Sequence, residues 1–176
     1  MNWILSTTLF FFIVCFSLLL YAKNKSLVGS HAPAFCLKDD TGTAIKSSDI
    51  FEKHEKVVIY FYPKDSSPHC TAQACSIRDG SKDFAKEDIF VIGISYDTPE
   101  SHKSFKAKHA LPFMLLSDEN KKVAKSYGAA SSSTFVPGIW PISRMTFLIK
   151  KGIIKQILTD ITVSSHAHEI IDAFKQ

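Results

Sequence analysis

The sequence predicts an α/β sandwich in which helices flank a mixed central sheet, preceded by an N-terminal hydrophobic helix. Three observations support this prediction. Apolar runs of strand length alternate with helical patterns, two late runs flank a hairpin turn, and the N-terminus is almost entirely apolar. The chain of 176 residues suits one core, so we assign 1–22 to a membrane anchor or signal segment, 23–30 to a tether and 31–176 to one domain.

The composition is that of an ordinary globular protein. It is 45% hydrophobic and 22% charged, which excludes wholesale disorder and fibrous classes. The net charge of +4 is small and the basic residues are dispersed, so no nucleic-acid partner is expected. The cysteines are too few and too unevenly spaced for a small domain held together by disulfides; they are Cys15, Cys36, Cys70 and Cys75.

The N-terminal run has the length of a membrane span. No charged residue lies between Trp3 and Tyr21, and about twenty helical residues cross a bilayer core of roughly 30 Å. An anchor is favoured over a cleaved signal peptide because no basic residue precedes the run and Leu20 suits a cleavage site poorly. A buried core helix is the third alternative. Lys23 and Lys25 favour a cytoplasmic domain, but two residues leave the side of the membrane open.

The first half of the domain contains two strands that are expected to be buried on both faces. A short strand is predicted around Ala34–Leu37, with a turn at Asp39–Gly42. Val57–Tyr62 is a continuous β-branched and aromatic run that a proline ends, which is typical of a central strand. A helical pattern covers Pro68–Lys86, and Phe90–Tyr96 is the second buried strand.

The second half adds helices, a strand and a hairpin. Helical patterns cover Ser101–Ala110 and Asp118–Tyr127, and Phe113–Leu116 is a short strand between them. Asp118 is the expected cap of the second helix and Gly128 its stop. This order of elements indicates a thioredoxin-like arrangement. A loop follows at 129–142, and Met145–Ile149 and Ile153–Leu158 are then predicted to form a hairpin. Ser164 or Ser165 opens the last predicted helix. The residues of this helix that face inward are Ile170, Ile171 and Phe174.

A reactive thiol is predicted at Cys70. Proline is favoured at the first helical position, so Pro68 makes Ser66 or Ser67 the N-cap and places Cys70 in the first turn. The free backbone N–H groups and the helix dipole there favour the thiolate, which is the nucleophilic form. His69 either adds positive charge when it is protonated or points into solvent.

The next cysteine, Cys75, lies five residues further along the same helix. In an intact helix the two Cα atoms are roughly 8 to 9 Å apart, beyond the limit of about 7 Å for a disulfide. The pair is therefore two separate thiols, or a disulfide after local unwinding, which suits one cysteine oxidised to sulfenic acid and a second that captures it. Two packed core thiols are the alternative, and a zinc site lacks a second ligand pair. Cys36 is interpreted as a buried small hydrophobe and Cys15 as inert.

Several segments match one known family. The motif Pro-x-x-x-Thr/Ser-x-x-Cys falls on Pro63, Ser67 and Cys70, and a second cysteine follows at Cys75. With these residues, Val57–Asp79 resembles the active-site segment of the peroxiredoxins, and more narrowly their peroxiredoxin Q/bacterioferritin-comigratory-protein branch. The resemblance covers nearly all of the chain after Ala22; the other matching residues and segments are Gln73, Arg78, Gly29–Phe35, Ile92–Asp97 and Arg144–Ile149.

The resemblance implies a thiol-dependent peroxidase that needs no metal and no organic cofactor. Cys70 would attack the peroxide, Ser67 would hold it through its hydroxyl, and Arg144 would stabilise the thiolate and the leaving oxygen. Pro63 would shape the pocket and keep it dry. Cys75 would form an intramolecular disulfide with Cys70, which thioredoxin or a similar dithiol then reduces. A monomer is also implied.

Two residues depart from the family pattern, and two other functions are considered. His69 stands where the family usually has Gly, and Ser67 replaces the commoner Thr; neither change removes a reacting group.

A membrane-tethered thiol–disulfide oxidoreductase acting on protein cysteines would normally carry Cys-x-x-Cys, which this chain lacks. A non-catalytic binding module would not need Cys70, Cys75, Ser67 and Arg144 together. The preferred peroxide stays open between hydrogen peroxide and organic or lipid hydroperoxides.

Overall fold

The computed structural model describes residues 27–130 and 142–175. The predicted N-terminal hydrophobic helix at 1–22 and most of the predicted loop at 129–142 lie outside the described residues. Across the two described ranges, no helix combines the length and the apolar character needed to cross a membrane. The same residues form a mixed α/β sandwich, as the sequence predicts.

A seven-stranded mixed sheet is the centre of the described fold. The strands are β1 Cys36–Asp39, β2 Ala44–Lys46, β3 Lys56–Phe61, β4 Ile89–Ser95, β5 Met114–Ser117, β6 Met145–Lys150 and β7 Ile153–Leu158. Their order in the sheet is β2-β1-β5-β4-β3-β6-β7. The central strands β3, β4 and β5 are parallel to one another, whereas β6 and β7 on one side and β1 and β2 on the other are antiparallel additions.

Helices cover both faces of this sheet, and they divide the core into two layers. The helices are α1 Ser47–Lys53, α2 Pro68–Asp79, α3 Ser81–Lys86, α4 Pro99–His109, α5 Lys122–Ser126 and α6 His166–Lys175. Strand side chains alternate between the faces, so Val57, Ile59 and Phe61 pack with α1 and α5 while Val58 and Tyr60 pack with α2, α3, α4 and α6. All five side chains are buried, which explains the unbroken apolar run in the sequence.

The helix predicted over Pro68–Lys86 is divided at Gly80 into α2 and α3, so that prediction is wrong. A Cβ atom at this position would lie 2.6 Å from the Cβ of Ala167, because α6 approaches the backbone there. Only glycine allows this approach, and the first helix ends at the same residue. The sequence signal was a single glycine inside a helical pattern, which helices often tolerate.

Three other expectations need correction. Cys36 is exposed and not a buried hydrophobe, because β1 lies near the edge of the sheet. The helix predicted from Asp118 begins at Lys122, although the Asp118 carboxylate does accept hydrogen bonds from the backbone N–H groups of Val123 and Ala124, at 3.3 and 2.8 Å. The sequence also did not predict α1 and β2, which are short and carry few apolar residues.

Candidate active site

The turn after β3 and the start of α2 place Cys70 where the sequence predicts. Ser67 occupies the N-cap position and Pro68 the first turn, and the backbone carbonyl of Ser67 accepts from the N–H of Thr71 at 2.8 Å. The Ser67 hydroxyl does not cap the helix but donates to the backbone carbonyl of Lys64 at 3.1 Å. Cys70 lies in the first turn and only 2% of its surface is exposed. A buried sulfur at a helix N-terminus favours the thiolate only where a positive group compensates its lost hydration.

Arg144 supplies that positive group. Strand β6 pairs antiparallel with β3, and the pair Phe61 and Met145 brings the residue before β6 beside the turn before α2. Arg144 Nη2 lies 3.4 Å from Cys70 Sγ, and Nη1 donates to Gln73 Oε1. Because a guanidinium keeps its charge at all physiological pH values, this contact stabilises negative charge on the sulfur and on any oxygen that leaves it.

The guanidinium of half-buried Arg144 is held by a chain of three buried side chains, Gln73, His166 and Thr146. We call these four residues the arginine network. Gln73 Nε2 lies 2.9 Å from His166 Nδ1, and His166 Nε2 lies 3.1 Å from Thr146 Oγ1. Gln73, His166 and Thr146 are each 0% exposed. Burial, and after it the positive charge of Arg144, lower the pKa of His166 to about 4, so the imidazole is neutral near pH 7.

A second set of buried contacts, the loop network, holds the turn between β3 and α2; it consists of Asp65, Tyr62, Ser101 and His102. The Asp65 carboxylate accepts from the Tyr62 hydroxyl at 2.7 Å and from the Ser101 hydroxyl at 2.7 Å, and it lies 2.9 Å from His102 Nδ1. Burial raises the pKa of Asp65, but these hydrogen bonds outweigh it and hold that pKa below its usual value. The backbone N–H of Asp65 also donates to Asp97 at 2.9 Å.

The remaining predicted site residues lie around this centre. Cys75 is half-buried further along the intact α2, and Cys70 and Cys75 are both free thiols. Of the two arrangements that the sequence leaves open, this structure has the two separate thiols in an intact helix, and their disulfide stays a prediction. Pro63 is buried, Ser67 is half-buried and the side chain of His69 is exposed, so His69 makes none of the described polar contacts with Cys70.

Sequence reasoning did not find most of the side chains behind Cys70. Gln73 was noted only as a match to the family pattern, although three residues after Cys70 it lies on the same helix face. Thr146 lies in the matching segment Arg144–Ile149, but the resemblance gave it no role. His166, Asp65 and His102 were not singled out, because their partners His102, Asp65, Gln73 and Thr146 come from distant parts of the chain.

Comparison with known proteins gives consistent matches. The model of the AhpC/TSA family matches residues 28–157. Peroxiredoxin Bcp of Bacillus subtilis is 39% identical over 150 residues, which cover 84% of this chain and 94% of that protein. The crystal structure of peroxidoxin BcpB from Mycobacterium tuberculosis has a TM-score of 0.76 at 28% identity and covers 84% of this chain and 96% of that one.

A third relative is a protein with a reported activity, the bacterioferritin comigratory protein of Xanthomonas campestris, whose structure was described for its alkyl peroxide reduction activity. That structure has a TM-score of 0.72 at 29% identity and covers 80% of this chain and 90% of that one. The thioredoxin-like architecture, the buried cysteine beside Arg144 and these matches agree with one another. The chain therefore belongs to the AhpC/TSA family, in its peroxiredoxin Q/Bcp branch.

Proposed function

We propose that this chain, a thiol-dependent peroxidase by its family, reduces peroxides at Cys70. The Cys70 thiolate attacks one oxygen of the peroxide, the O–O bond breaks, and the other oxygen leaves with the electron pair and takes up a proton. The sulfur becomes a sulfenic acid. The observation that carries the proposal is the 3.4 Å contact between Arg144 Nη2 and Cys70 Sγ, because the same cation stabilises both the attacking thiolate and the leaving oxygen.

Ser67 and Pro63 are proposed to shape the place of the peroxide. The Ser67 hydroxyl already donates to the Lys64 carbonyl, so its lone pairs are the part available to a substrate. We therefore infer that Ser67 accepts a hydrogen bond from the O–H of the peroxide, which holds that terminal oxygen against the sulfur that attacks it. Buried Pro63 has no N–H and leaves no backbone donor at its own position to bind water.

Cys75 is proposed to complete the cycle. Its thiol attacks the sulfenic sulfur of Cys70, the oxygen leaves as water, and a disulfide forms. Because both residues lie in α2, the first turns of that helix must unwind before the two sulfur atoms meet. Thioredoxin or a similar dithiol then reduces the disulfide by thiol–disulfide exchange. The alternative of an oxidoreductase acting on protein cysteines is not favoured, since the chain has no Cys-x-x-Cys.

One experiment tests these roles together. The reduced protein is mixed with one equivalent of hydrogen peroxide, and its intact mass is followed beside Cys70→Ser and Cys75→Ser. We expect rapid loss of two hydrogen atoms in the parent, no change in Cys70→Ser, and gain of one oxygen atom in Cys75→Ser. Absence of any rapid change in the parent would contradict the proposal, and oxygen gain in Cys70→Ser would place the attacking thiol elsewhere.

The substrate range and the location of the protein are also proposals. We propose that organic hydroperoxides are substrates, which the alkyl peroxide reduction reported for the Xanthomonas campestris relative supports. The uncharged run Trp3–Tyr21 supports a membrane attachment, with its side left open, and a monomer is expected. If the membrane attachment favours lipid hydroperoxides, the chain with residues 1–22 should prefer them more than the chain without these residues does. The test compares the rates of the two chains on hydrogen peroxide and on a lipid hydroperoxide in vesicles. An equal ratio of the two rates in both chains would contradict this effect of the attachment.

A further inference from the structure

We propose that His166 is a positioning residue, which anchors the Gln73 amide and through it the Arg144 guanidinium over Cys70. The proposal rests on the proposed role of Cys70 as the attacking thiol. His166 touches neither sulfur nor peroxide in this arrangement and acts only through Gln73. It ties the reaction centre to α6, which begins at this residue.

Hydrogen-bond chemistry fixes each donor and acceptor of the arginine network. A guanidinium only donates, so the oxygen of the Gln73 side chain faces Arg144. The amide nitrogen, which also only donates, then faces His166 Nδ1 at 2.9 Å, and Nδ1 must accept. A neutral imidazole with Nδ1 as acceptor carries its proton on Nε2, which donates to Thr146 Oγ1 at 3.1 Å.

The surroundings of His166 keep it in that form. Arg144 faces it from the segment before β6, and the Tyr60 ring on β3 meets it edge-on with the centroids 6.4 Å apart. The groups that contact it from α2 and β6, Gln73 and Thr146, are uncharged. A proton on Nδ1 would face the Gln73 amide hydrogens and add a buried positive charge beside the guanidinium. The site therefore selects the neutral acceptor.

Removing the acceptor has a defined consequence. The Gln73 amide nitrogen would be left buried without a partner, which costs more than the hydrogen bond it loses. Gln73 is 0% exposed and has no access to bulk water where it stands, so its side chain must move to be satisfied. Arg144 then loses its contact with Oε1, and its Nη2 is no longer held over Cys70 Sγ.

The test uses the full chain carrying Cys75→Ser, so that oxidation stops at Cys70. His166→Leu removes the acceptor and keeps a buried side chain of similar bulk. We expect the second-order rate constant for Cys70 oxidation by hydrogen peroxide, from quenched mixing and intact mass, to fall about tenfold. Alkylation of Cys70 by iodoacetamide at pH 7 should slow in parallel, because it reports the same thiolate.

A compensating change separates positioning from structure. Gln73→Glu gives Arg144 a carboxylate, which binds a guanidinium strongly without an acceptor behind it. Gln73→Glu combined with His166→Leu should therefore recover most of the lost rate. Ile170→Ala is the matched control: Ile170 is on α6 and 0% exposed, and truncating it weakens packing while leaving the arginine network intact, so its rate should stay within about twofold of the parent.

The outcomes are decisive. A parental rate in folded His166→Leu overturns the proposal, and so does an equal loss of rate with and without Gln73→Glu. If circular dichroism shows that His166→Leu does not fold, Thr146→Val takes its place, because it keeps the shape and removes the partner of Nε2; a loss of about threefold, rescued by Gln73→Glu, is then expected. If the chain with Cys75→Ser alone is not oxidised at Cys70, the proposed function itself fails, and the positioning role with it.

Discussion

Two buried polar networks flank Cys70, and they differ in where they end. The loop network closes on the Asp65 carboxylate, which the Tyr62 and Ser101 hydroxyls satisfy from within the protein. The arginine network ends on a guanidinium that contacts the Cys70 sulfur. Each network consists of three buried side chains and one half-buried side chain, so burial alone does not tell their roles apart. We expect changes in the loop network to lower stability, and changes in the arginine network to lower the rate.

Replacing Arg144 by Lys should have the largest effect of the changes that test the two networks. An ammonium is a point charge and cannot reach Gln73 Oε1 and Cys70 Sγ at once, as the planar fork of a guanidinium does. We expect the rate of Cys70 oxidation to fall by about 10² to 10³, the usual effect of losing one charge-stabilising donor. Quenched mixing with hydrogen peroxide measures the rate, and urea unfolding at pH 7 should show little change in stability. A rate within tenfold of the parent would contradict the assignment.

The pH dependence of stability comes next in size. The pKa of His166 is about 4 in the folded protein and 6.5 as the reference for the unfolded chain, so the unfolded state binds a proton first as the pH falls. The contribution of His166 to the free energy of unfolding is therefore greatest above about pH 6.5. It decreases as the pH falls from about 6.5 to about 4, and it changes no further below about pH 4. The difference of about 2.5 pH units corresponds to about 3 kcal/mol of unfolding free energy.

Urea unfolding of the parent and His166→Leu at several pH values measures this contribution. The difference between the two curves isolates His166 from the other groups that titrate in the same range. The parent should lose about 3 kcal/mol more than the variant between pH 7 and pH 4. Parallel curves would show that the imidazole is not held neutral, and would weaken its role as an acceptor.

Asp65→Asn tests the loop network. The carboxylate accepts from three neighbouring side chains, and an amide of the same shape would turn a donor toward at least one of them. We expect a loss of about 2 kcal/mol in unfolding free energy at pH 7, with the rate of Cys70 oxidation within about threefold of the parent. Because the pKa of Asp65 is held below its usual value of 3.8, the parent should lose this advantage only below about pH 4. A large fall in the rate of Cys70 oxidation with little change in the unfolding free energy would contradict the structural role of the loop network.

The sequence predicted the parts of the fold that local patterns encode. β3 and β4 were found because strands buried on both faces are continuous apolar runs, and Cys70 was found because a proline and a serine mark the helix start. The break at Gly80 was missed because the need for glycine there comes from the approach of Ala167 from α6. A local pattern does not contain that contact.

The two networks were out of reach for the same reason. Gln73 and His166 are 93 residues apart in the chain, and Asp65 and His102 are 37 residues apart. A single polar residue in an amphipathic segment reads as part of a solvated face until the fold buries it against its partner. The family resemblance pointed to Arg144 and the cysteines because its motifs give those residues a role. It also matched Gln73 and Thr146 without a role for either, and it did not single out His166 or His102.

Ser101→Ala is the smallest and most selective test. It removes one of the hydrogen bonds to Asp65, at 2.7 Å, and leaves the contacts with Tyr62 and His102 in place. Since the carboxylate keeps its other partners, we expect a loss of only about 1 kcal/mol in urea unfolding at pH 7, smaller than that of Asp65→Asn. Combined with Asp65→Asn, the second change should cost less than it does alone, because both act on one contact. Strict additivity would mean that Ser101 stabilises α4 by another route. A change of more than about threefold in the rate of Cys70 oxidation would mean that the loop network reaches the reacting sulfur.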